Sequence, residues 1–263
     1  MLEIQNLNKT FYPGTVNERA AIRNLSLSVS DGEFITIIGS NGAGKSTLFN
    51  LIAGSILPDN GQIVLAGKEI TYLPEHRRAR LIGRIFQDPM RGTAPSMTIE
   101  ENLALSYLRS NKGHFTVGIP KAERTFFREQ LAALGLGLED RMKTPVGLLS
   151  GGQRQAVSLL MCTMTPPKLL LLDEHTAALD PATADKVLRI TDSIVKKHKI
   201  TTLMITHNIQ LALTMGTRTL MMDEGNIRLD LGGEERSRMT VSQLLECFQK
   251  AGGELNNDRM LLS

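Results

Sequence analysis

A strand-like run, a glycine-rich loop and a helix start follow one another near the N-terminus and constrain the fold more than any other feature. The loop Gly39–Thr47 reads GSNGAGKST and fits the pattern G-x-x-x-x-G-K-[ST]. The run Phe34–Ile38 before it is apolar and β-branched, and Ser46–Ile52 after it has helical character. Backbone N–H groups of such a loop, together with the helix N-terminus, form a nest for a phosphate group. The pattern therefore predicts an α/β fold with a phosphate-binding loop.

The same loop supplies most of the candidate nucleotide ligands. We expect Lys45 to reach the β- and γ-phosphates and the Ser46 hydroxyl to bind Mg²⁺. A glycine-rich turn with a surface lysine is the alternative, but the flanking strand and helix favour phosphate binding. The candidates in this loop are Gly39, Ser40, Asn41, Gly42, Ala43, Gly44, Lys45, Ser46 and Thr47.

A second motif, LSGGQ, occupies Leu149–Gln153. Ser150 can cap a helix that runs on to Met164, and the glycines after it leave bare backbone where a phosphate could approach. Taken alone, the string is only a helix N-cap. Together with the phosphate-binding loop and the carboxylates of the next strand, it can close over the nucleotide from a second copy of the chain. The candidate residues are Ser150, Gly151, Gly152 and Gln153.

Two carboxylates follow a buried-strand pattern further along the chain. The leucine run Leu169–Leu172 suits a central parallel strand, and open α/β sheets bind ligands at the carboxyl ends of their strands. Asp173 is then placed to hold Mg²⁺, and Glu174 to orient and deprotonate the attacking water. The alternative is that two acids simply end a strand in solvent.

With these motifs the chain resembles the ATP-binding-cassette family, specifically the ATPase subunit of a transporter. The resemblance covers nearly the whole chain and implies a P-loop NTPase core of the RecA-like type. It also implies three further site residues. Gln87 resembles the glutamine that touches Mg²⁺ or the lytic water, Asp180 belongs to a segment that crosses the dimer seam, and His207 resembles the histidine that contacts the γ-phosphate.

The resemblance further implies an aromatic side chain that stacks on adenine. Phe11 matches the family pattern, and its neighbour Tyr12 is the alternative. The chain departs from the pattern at His175, which replaces the usual proline and either alters loop rigidity or has a direct chemical role. The run DEHTAALDP, His175 included, is similar to a subgroup of bacterial ATPases that pair with a substrate-binding protein and an importer-like permease.

The distribution of charged, apolar and cysteine residues narrows the function classes. The net charge of +3 is mild, and we interpret Arg77–Arg80 as a solvated helix face rather than a nucleic-acid patch. Cys162 and Cys247 form no CxxC pair and fit a reducing compartment. The N-terminus lacks the features of a signal peptide, and no apolar run approaches the roughly 20 residues that span a bilayer. We therefore expect no pore within the chain itself.

The order of patterns along the chain predicts one cassette with three parts. Strand-like stretches near Glu3–Asn6, Ser26–Val29 and Gln62–Leu65 indicate an antiparallel β subdomain beside the nucleotide-binding core at 1–87 and 165–240. Residues 88–164 read as an inserted helical subdomain, and 241–263 as a closing helix and tail. The sequence contains no internal repeats, which argues against a second cassette in the same chain.

The sequence thus predicts a Mg-dependent ATPase that works as a homodimer with two ATP molecules in its seam. The resemblance implies that it powers a bacterial importer of a small solute such as an amino acid, at the cytoplasmic face of the membrane. Its other partners would be permease subunits, received in a groove around Gln87–Glu101, and indirectly a substrate-binding protein.

The alternative is a soluble ATPase of the same family acting on nucleic acid or ribosomes, but the mild charge and the lack of zinc-spaced cysteines argue against a nucleic-acid partner. A GTPase is disfavoured because Asn8-Lys9 precedes the loop and lacks the following aspartate.

Overall fold

A computed structural model describes residues 1–110 and 118–250 of the 263-residue chain. The chain forms two compact units, one made of Met1–Ile82, Lys168–Glu174 and Lys199–Ser263, the other of Gly83–Pro167 and His175–His198. The division expected from the sequence, with a helical subdomain at 88–164, stays a prediction. Residues 251–263 of the expected tail lie outside the described residues.

The regular elements alternate along the chain as in other α/β proteins. The strands are β1 (Leu2–Phe11), β2 (Arg19–Val29), β3 (Phe34–Gly39), β4 (Asn60–Leu65), β5 (Lys68–Glu69), β6 (Ile82–Ile85), β7 (Leu169–Asp173), β8 (Thr201–Ile205), β9 (Arg218–Asp223) and β10 (Asn226–Gly232). The helices are α1 (Lys45–Ala53), α2 (Glu75–Arg78), α3 (Ile99–Ser110), α4 (Lys121–Ala132), α5 (Gly151–Thr163), α6 (Pro181–His198), α7 (Ile209–Thr214), α8 (Gly233–Ser237) and α9 (Val241–Lys250). Within the described residues, none of the helices combines the length and apolarity that a membrane crossing requires.

A four-stranded antiparallel sheet has the order β2-β1-β4-β5, which confirms the predicted antiparallel subdomain. Both β1 and β2 are longer than the sequence pattern predicts. The register shifts between Ile4 and Leu7, and Asn6 and Asn24 have φ of 48°. Such irregular positions break the alternation of apolar and polar residues while the strand itself continues.

A six-stranded sheet has the order β10-β9-β3-β8-β7-β6. Strands β7, β8, β3 and β9 are neighbours in parallel pairs, and β10 joins antiparallel to β9. Parallel strands covered on both faces read as continuous apolar runs, as Leu169–Leu172 does with each residue 0% exposed. The observed α/β architecture confirms the predicted fold class.

The first unit buries an arginine that the sequence analysis had assigned to a solvated helix face. Arg78 is 0% exposed and donates hydrogen bonds to the carbonyls of Leu51, Ile52, Thr71 and Leu73 at 2.6–2.9 Å. The interpretation of Arg77–Arg80 is therefore wrong at Arg78. Its planar guanidinium carries five N–H donors, enough to serve carbonyls from several turns at once.

The second unit packs the faces of α3, α4, α5 and α6 around an apolar cluster. The cluster contains Ile99, Leu103, Phe127 and Leu160, all almost fully buried. Ile99, within the stretch Gln87–Glu101 expected to receive a permease helix, is 0% exposed and belongs to this core. Helix α6, the longest of the described helices, was not anticipated from the sequence.

Candidate functional site

Three neighbouring parallel strands of the first unit end at one edge of the sheet. In β3, β8 and β7, Ile37 pairs with Ile205, and Ile205 pairs with Asp173. The glycine loop follows β3, Glu174 follows β7, and His207 comes two residues after β8. Sequence-distant groups are thereby brought together where open α/β sheets bind ligands.

Two glycines of the loop have positive φ values and lie so close to neighbouring backbone that a side chain would not fit. Gly39 has φ of 150°, and a Cβ there would lie 2.2 Å from the Met222 carbonyl oxygen. Gly44, at the start of α1, has φ of 100°, and a Cβ there would lie 2.5 Å from the Ala21 carbonyl oxygen. The loop is therefore held tightly against β9 and β2, and its glycine backbone lets an anion approach closely.

Lys45, the first residue of α1, is only 6% exposed. Its Nζ donates to the Gly39 carbonyl at 2.6 Å and to the Ser40 carbonyl at 2.9 Å. Burial lowers the pKa of Lys45, and the nearby carboxylates of Glu174 and Asp173 partly oppose that effect. The ammonium group is thus folded back on the loop, at the position from which it can reach a bound phosphate.

Glu174 and His207 form a close pair at the same edge. Glu174 Oε1 lies 2.7 Å from His207 Nε2, and the side chains are 13% and 33% exposed. The Glu174 backbone has φ of 47°, and its N–H donates to the Ile205 carbonyl of the neighbouring strand. Non-glycine residues rarely adopt this left-handed conformation, and such outliers often occur at functional sites. The carboxylate is placed to accept a proton, with the imidazole as its partner.

A cavity of about 190 Å³ joins these groups in the first unit. Phe11 lines it, whereas Tyr12 is 69% exposed and is not among the lining residues. Gly39, Ser40 and Ala43 belong to the loop but do not line the cavity. The cavity is lined by Phe11, Arg19, Ala21, Asn41, Gly42, Gly44, Lys45, Ser46, Thr47, Glu174 and His207. A glycine cradle with one lysine, a hydroxyl and a carboxylate fits the phosphate end of a nucleotide.

The oxygen donors near the loop suit Mg²⁺. Ser46 lines the cavity, and Asp173 ends β7 directly before Glu174. Hydroxyl and carboxylate oxygens are the ligands that this hard cation prefers, usually alongside substrate phosphates and water. Gln87, the third residue expected near the metal, lies in the second unit as an exposed residue after β6.

The LSGGQ motif of the second unit starts α5 with a complete capping box. Gln153 N donates to Ser150 Oγ at 3.3 Å, and Ser150 N donates to Gln153 Oε1 at 3.2 Å. A Cβ on Gly152 would lie 2.0 Å from Thr183 Cγ2, and one on Gly151 would lie 3.1 Å from Leu179 Cδ2. Gly152 is therefore required for packing against α6, a reason that the sequence did not reveal.

The two remaining candidates sit at and beside α6. Asp180 Oδ1 accepts from Thr183 N at 3.1 Å and caps the helix. Hydrogen bonding to the Thr183 side chain, and then to its backbone, lowers the pKa of Asp180. His175 is 3% exposed, contacts Thr191 Oγ1 through Nε2 at 3.3 Å, and has its pKa lowered to about 4 by burial. A neutral, buried imidazole is consistent with a packing role for His175.

A family model described as ABC transporter matches residues 22–177. The chain belongs to the ABC transporter family. Among solved structures, it is similar to the dimeric structure of a post-hydrolysis state of the ATP-binding cassette MJ0796 bound to ADP and Pi. The TM-score is 0.76 at 26% sequence identity, over 88% of this chain and 98% of that one. This ABC chain is accordingly an ATP-hydrolysing enzyme.

Curated relatives of this ABC chain are named for transport. A tyrosine transport ATP-binding protein of Clostridioides difficile is 46% identical over 255 residues, covering 95% of this chain and 100% of the relative. A methionine import ATP-binding protein of Brucella abortus is 36% identical over 230 residues, which is 86% of this chain but only 58% of the relative. A bicarbonate transport ATP-binding protein of Synechococcus elongatus is 35% identical over 222 residues, or 84% of this chain and 32% of the relative.

Two residues at the ABC site were missed by the sequence analysis. Arg19 donates to the Gly42 carbonyl at 2.9 Å and lines the cavity. Gly225, in the β9–β10 turn, donates its N–H to the Ala43 carbonyl and accepts from Arg23 N. The turn sequence around Gly225 indicates a hairpin, but nothing local to it indicates that the hairpin supports a loop near residue 43.

Proposed function

We propose that this chain is the ATP-hydrolysing subunit of a bacterial membrane importer for a small solute, with an amino acid as the favoured class. The name of the 46% identical relative, tyrosine transport ATP-binding protein, supports an amino acid, as does that of the methionine-import relative. The bicarbonate transport relative shows that similarity at the 35% level spans several solutes.

The Glu174–His207 pair beside the glycine loop is the observation that carries the chemistry of the proposal. In this mechanism, water attacks the γ-phosphate in line while Glu174 takes its proton and the bond from the γ-phosphorus to the ADP oxygen breaks. Lys45 and His207 offset the charge that develops on the phosphate, and ADP is the leaving group. When bound, Mg²⁺ neutralises charge on the phosphate oxygens, and Ser46 and Asp173 would hold it.

The proposed assembly is a homodimer with ATP in its seam. Residues Ser150–Gln153 of one copy would close over the loop Gly39–Thr47 of the other, and Asp180 would lie at the seam. The dimeric form of the similar cassette bound to ADP and Pi supports a dimer. The family and the transport names of the relatives support permease subunits as partners. In this proposal the chain acts at the cytoplasmic face of the membrane, and a substrate-binding protein acts with the permease.

Uptake by cells tests the importer directly. A strain whose chromosomal copy carries Glu174→Gln should lose accumulation of labelled tyrosine or methionine, while Glu129→Gln on the exposed face of α4 should leave it unchanged. Normal uptake of both amino acids, together with retention of the wild-type chain on ribosomes or DNA, would favour the soluble ATPase instead.

The permease contact is tested by charge substitutions in the stretch Gln87–Glu101. Met90 is 38% exposed, Met97 is half-buried and Ile99 is core, so Met90→Asp is the informative variant. We expect it to lower copurification with the permease and to uncouple uptake, while ATP hydrolysis by the isolated chain persists. Leu57→Asp, at an apolar residue of similar exposure in the first unit, is the control. Wild-type capture of the permease by Met90→Asp would place the docking surface elsewhere.

A further inference from the structure

Arg19 lies at the junction between the antiparallel sheet and the glycine loop. It begins β2 and pairs across the strands with Phe11. Directly opposed residues of an antiparallel pair point to the same face of the sheet. Accordingly Arg19 and Phe11 both line the cavity, together with Lys45 and Ser46.

The guanidinium of Arg19 lies against the bare backbone of the loop. Its Nη2 donates to the Gly42 carbonyl at 2.9 Å. A Cβ on Gly42, which has φ of 87°, would lie 2.3 Å from the same nitrogen. Glycine at this position therefore allows the close approach of Arg19, in addition to the left-handed backbone.

The hydrogen-bonding capacity of Arg19 exceeds the one bond that the structure describes for it. A guanidinium carries five N–H donors, stays charged at all ordinary pH values, and matches phosphate oxygens with a planar fork. No ion pair joins Arg19 to a carboxylate within residues 1–110 and 118–250. An unneutralised cation thus stands at the wall of a cavity suited to phosphate.

We propose that Arg19 is a nucleotide-binding residue that holds the glycine loop through Gly42 and donates hydrogen bonds to the phosphate chain of ATP and of ADP. The proposal rests on the nucleotide site at this loop. The Arg19 side chain bonds to Gly42 of the loop and its strand partner is Phe11, while the proposed mechanism assigns proton abstraction to Glu174. Arg19 is therefore expected to contribute to binding rather than to the chemical step, so its loss should raise KM and leave kcat nearly unchanged.

Equilibrium binding of fluorescent ATP and ADP analogues to the full chain tests this role. Arg19→Gln should weaken both affinities about tenfold, the usual size of a lost charged hydrogen bond, and Arg19→Lys should lose less. Arg23→Gln, an exposed arginine of the same strand that is absent from the cavity lining, removes the same charge and should bind like the wild type.

The salt dependence of binding separates a phosphate contact from mere support of the loop. If Arg19 meets the phosphates, the affinity of Arg19→Gln should fall less steeply with added NaCl than that of the wild type, because a screened charge pair has been removed. An unchanged salt dependence, wild-type affinity of Arg19→Gln, or a selective loss of kcat would overturn the proposal.

Thermal unfolding midpoints of the apo proteins monitor folding, and Arg19→Lys carries the test if the glutamine variant is unstable. Failure of the wild type to bind ATP would instead overturn the nucleotide site itself.

Discussion

Glu174 combines a strained backbone with a paired carboxylate. A left-handed conformation at a non-glycine residue costs about 1–3 kcal/mol, and the φ of 47° at Glu174 persists here with an N–H bond to the neighbouring strand. The Glu174 side chain contacts His207, which follows β8. The position of this carboxylate agrees with the general-base role proposed for Glu174.

Glu174→Gln is expected to keep ATP affinity and to lose turnover by roughly 100-fold or more, because an amide cannot accept the proton from water. Phosphate release and equilibrium ATP binding measure the two quantities separately. Glu129→Gln, an exposed acid on α4, serves as the matched control. Turnover close to the wild-type value would remove Glu174 from the role of base.

His175 predicts a defined pH dependence of stability. Its folded-state pKa is lowered to about 4 by burial, whereas an unfolded histidine titrates near 6.5. Between these values the unfolded chain binds more protons, so the free energy of unfolding falls as the pH drops from about 6.5 to about 4. The loss amounts to roughly 3 kcal/mol over this window, with no further contribution from this group outside it.

Urea unfolding of the wild type and of His175→Asn across this pH range measures the effect. The asparagine variant should show a shallower dependence on pH between 4 and 6.5, although its stability at pH 7 is expected to be lower after loss of ring packing. Equal slopes for the two proteins would mean that His175 takes up its proton in the folded state.

Contiguous motifs could be found from the sequence, and contacts between distant segments could not. Gly39–Thr47 and Ser150–Gln153 each carry their whole pattern in a few residues. Arg19 meets Gly42 across 23 positions, and Thr183 meets Gly152 through the packing of two helices. Contacts of both kinds depend on how distant segments pack in the fold. A single sequence contains no periodic signal for that packing.

Buried arginines bind the C-terminal carbonyls of α1 and α7, the helices that follow the glycine loop and His207. Arg78 binds the carbonyls of Leu51 and Ile52 in the last turn of α1. Arg236, 7% exposed, donates to the carbonyls of Ala212, Met215 and Gly216 at the end of α7. Helix C-termini leave orphan carbonyls and partial negative charge, so a buried cation satisfies both.

Arg78→Met should destabilise the first unit by on the order of 3 kcal/mol, because methionine leaves the carbonyls of Arg78's buried partners without donors. The urea midpoint of the apo protein measures this loss. Arg77→Met removes the same charge from an exposed neighbour on α2 and should change the midpoint little. Equal midpoints for the two variants would contradict a stabilising role for the hydrogen bonds of Arg78.

Element types were predicted more accurately than element extents. The strand runs that became β3 and β7 are mostly apolar, and their positions agree with the structure. The β1 strand runs on beyond its predicted end because its bulges interrupt the two-residue period without ending the strand. Helix α6 was missed despite Asp180-Pro181, a cap followed by a favoured first residue.

The proposed homodimer depends on the LSGGQ motif, with which one chain would contact the nucleotide site of its copy. Ser150 and Gln153 satisfy each other in the capping box, and Gly152 is committed to packing against Thr183. Gly151 remains the one glycine of the motif where a Cβ would meet only a flexible side-chain end, Leu179 Cδ2 at 3.1 Å. Gly151 is therefore the position at which charge can be added with the least disturbance of the fold.

Gly151→Asp should leave ATP binding by the single chain intact and abolish ATP-driven dimerisation, because its carboxylate would face the partner's γ-phosphate in a poorly solvated seam. Gly151→Ala adds the same Cβ without charge and should still dimerise. Size measurement with ATP in a Glu174→Gln background, where hydrolysis is expected to be blocked, compares the two. In mixtures with wild-type chains, the aspartate variant should lower activity by more than its share of the subunits, since each mixed dimer carries one blocked seam site. Loss of ATP binding by the isolated aspartate variant would show that the motif supports its own chain rather than the site of a partner.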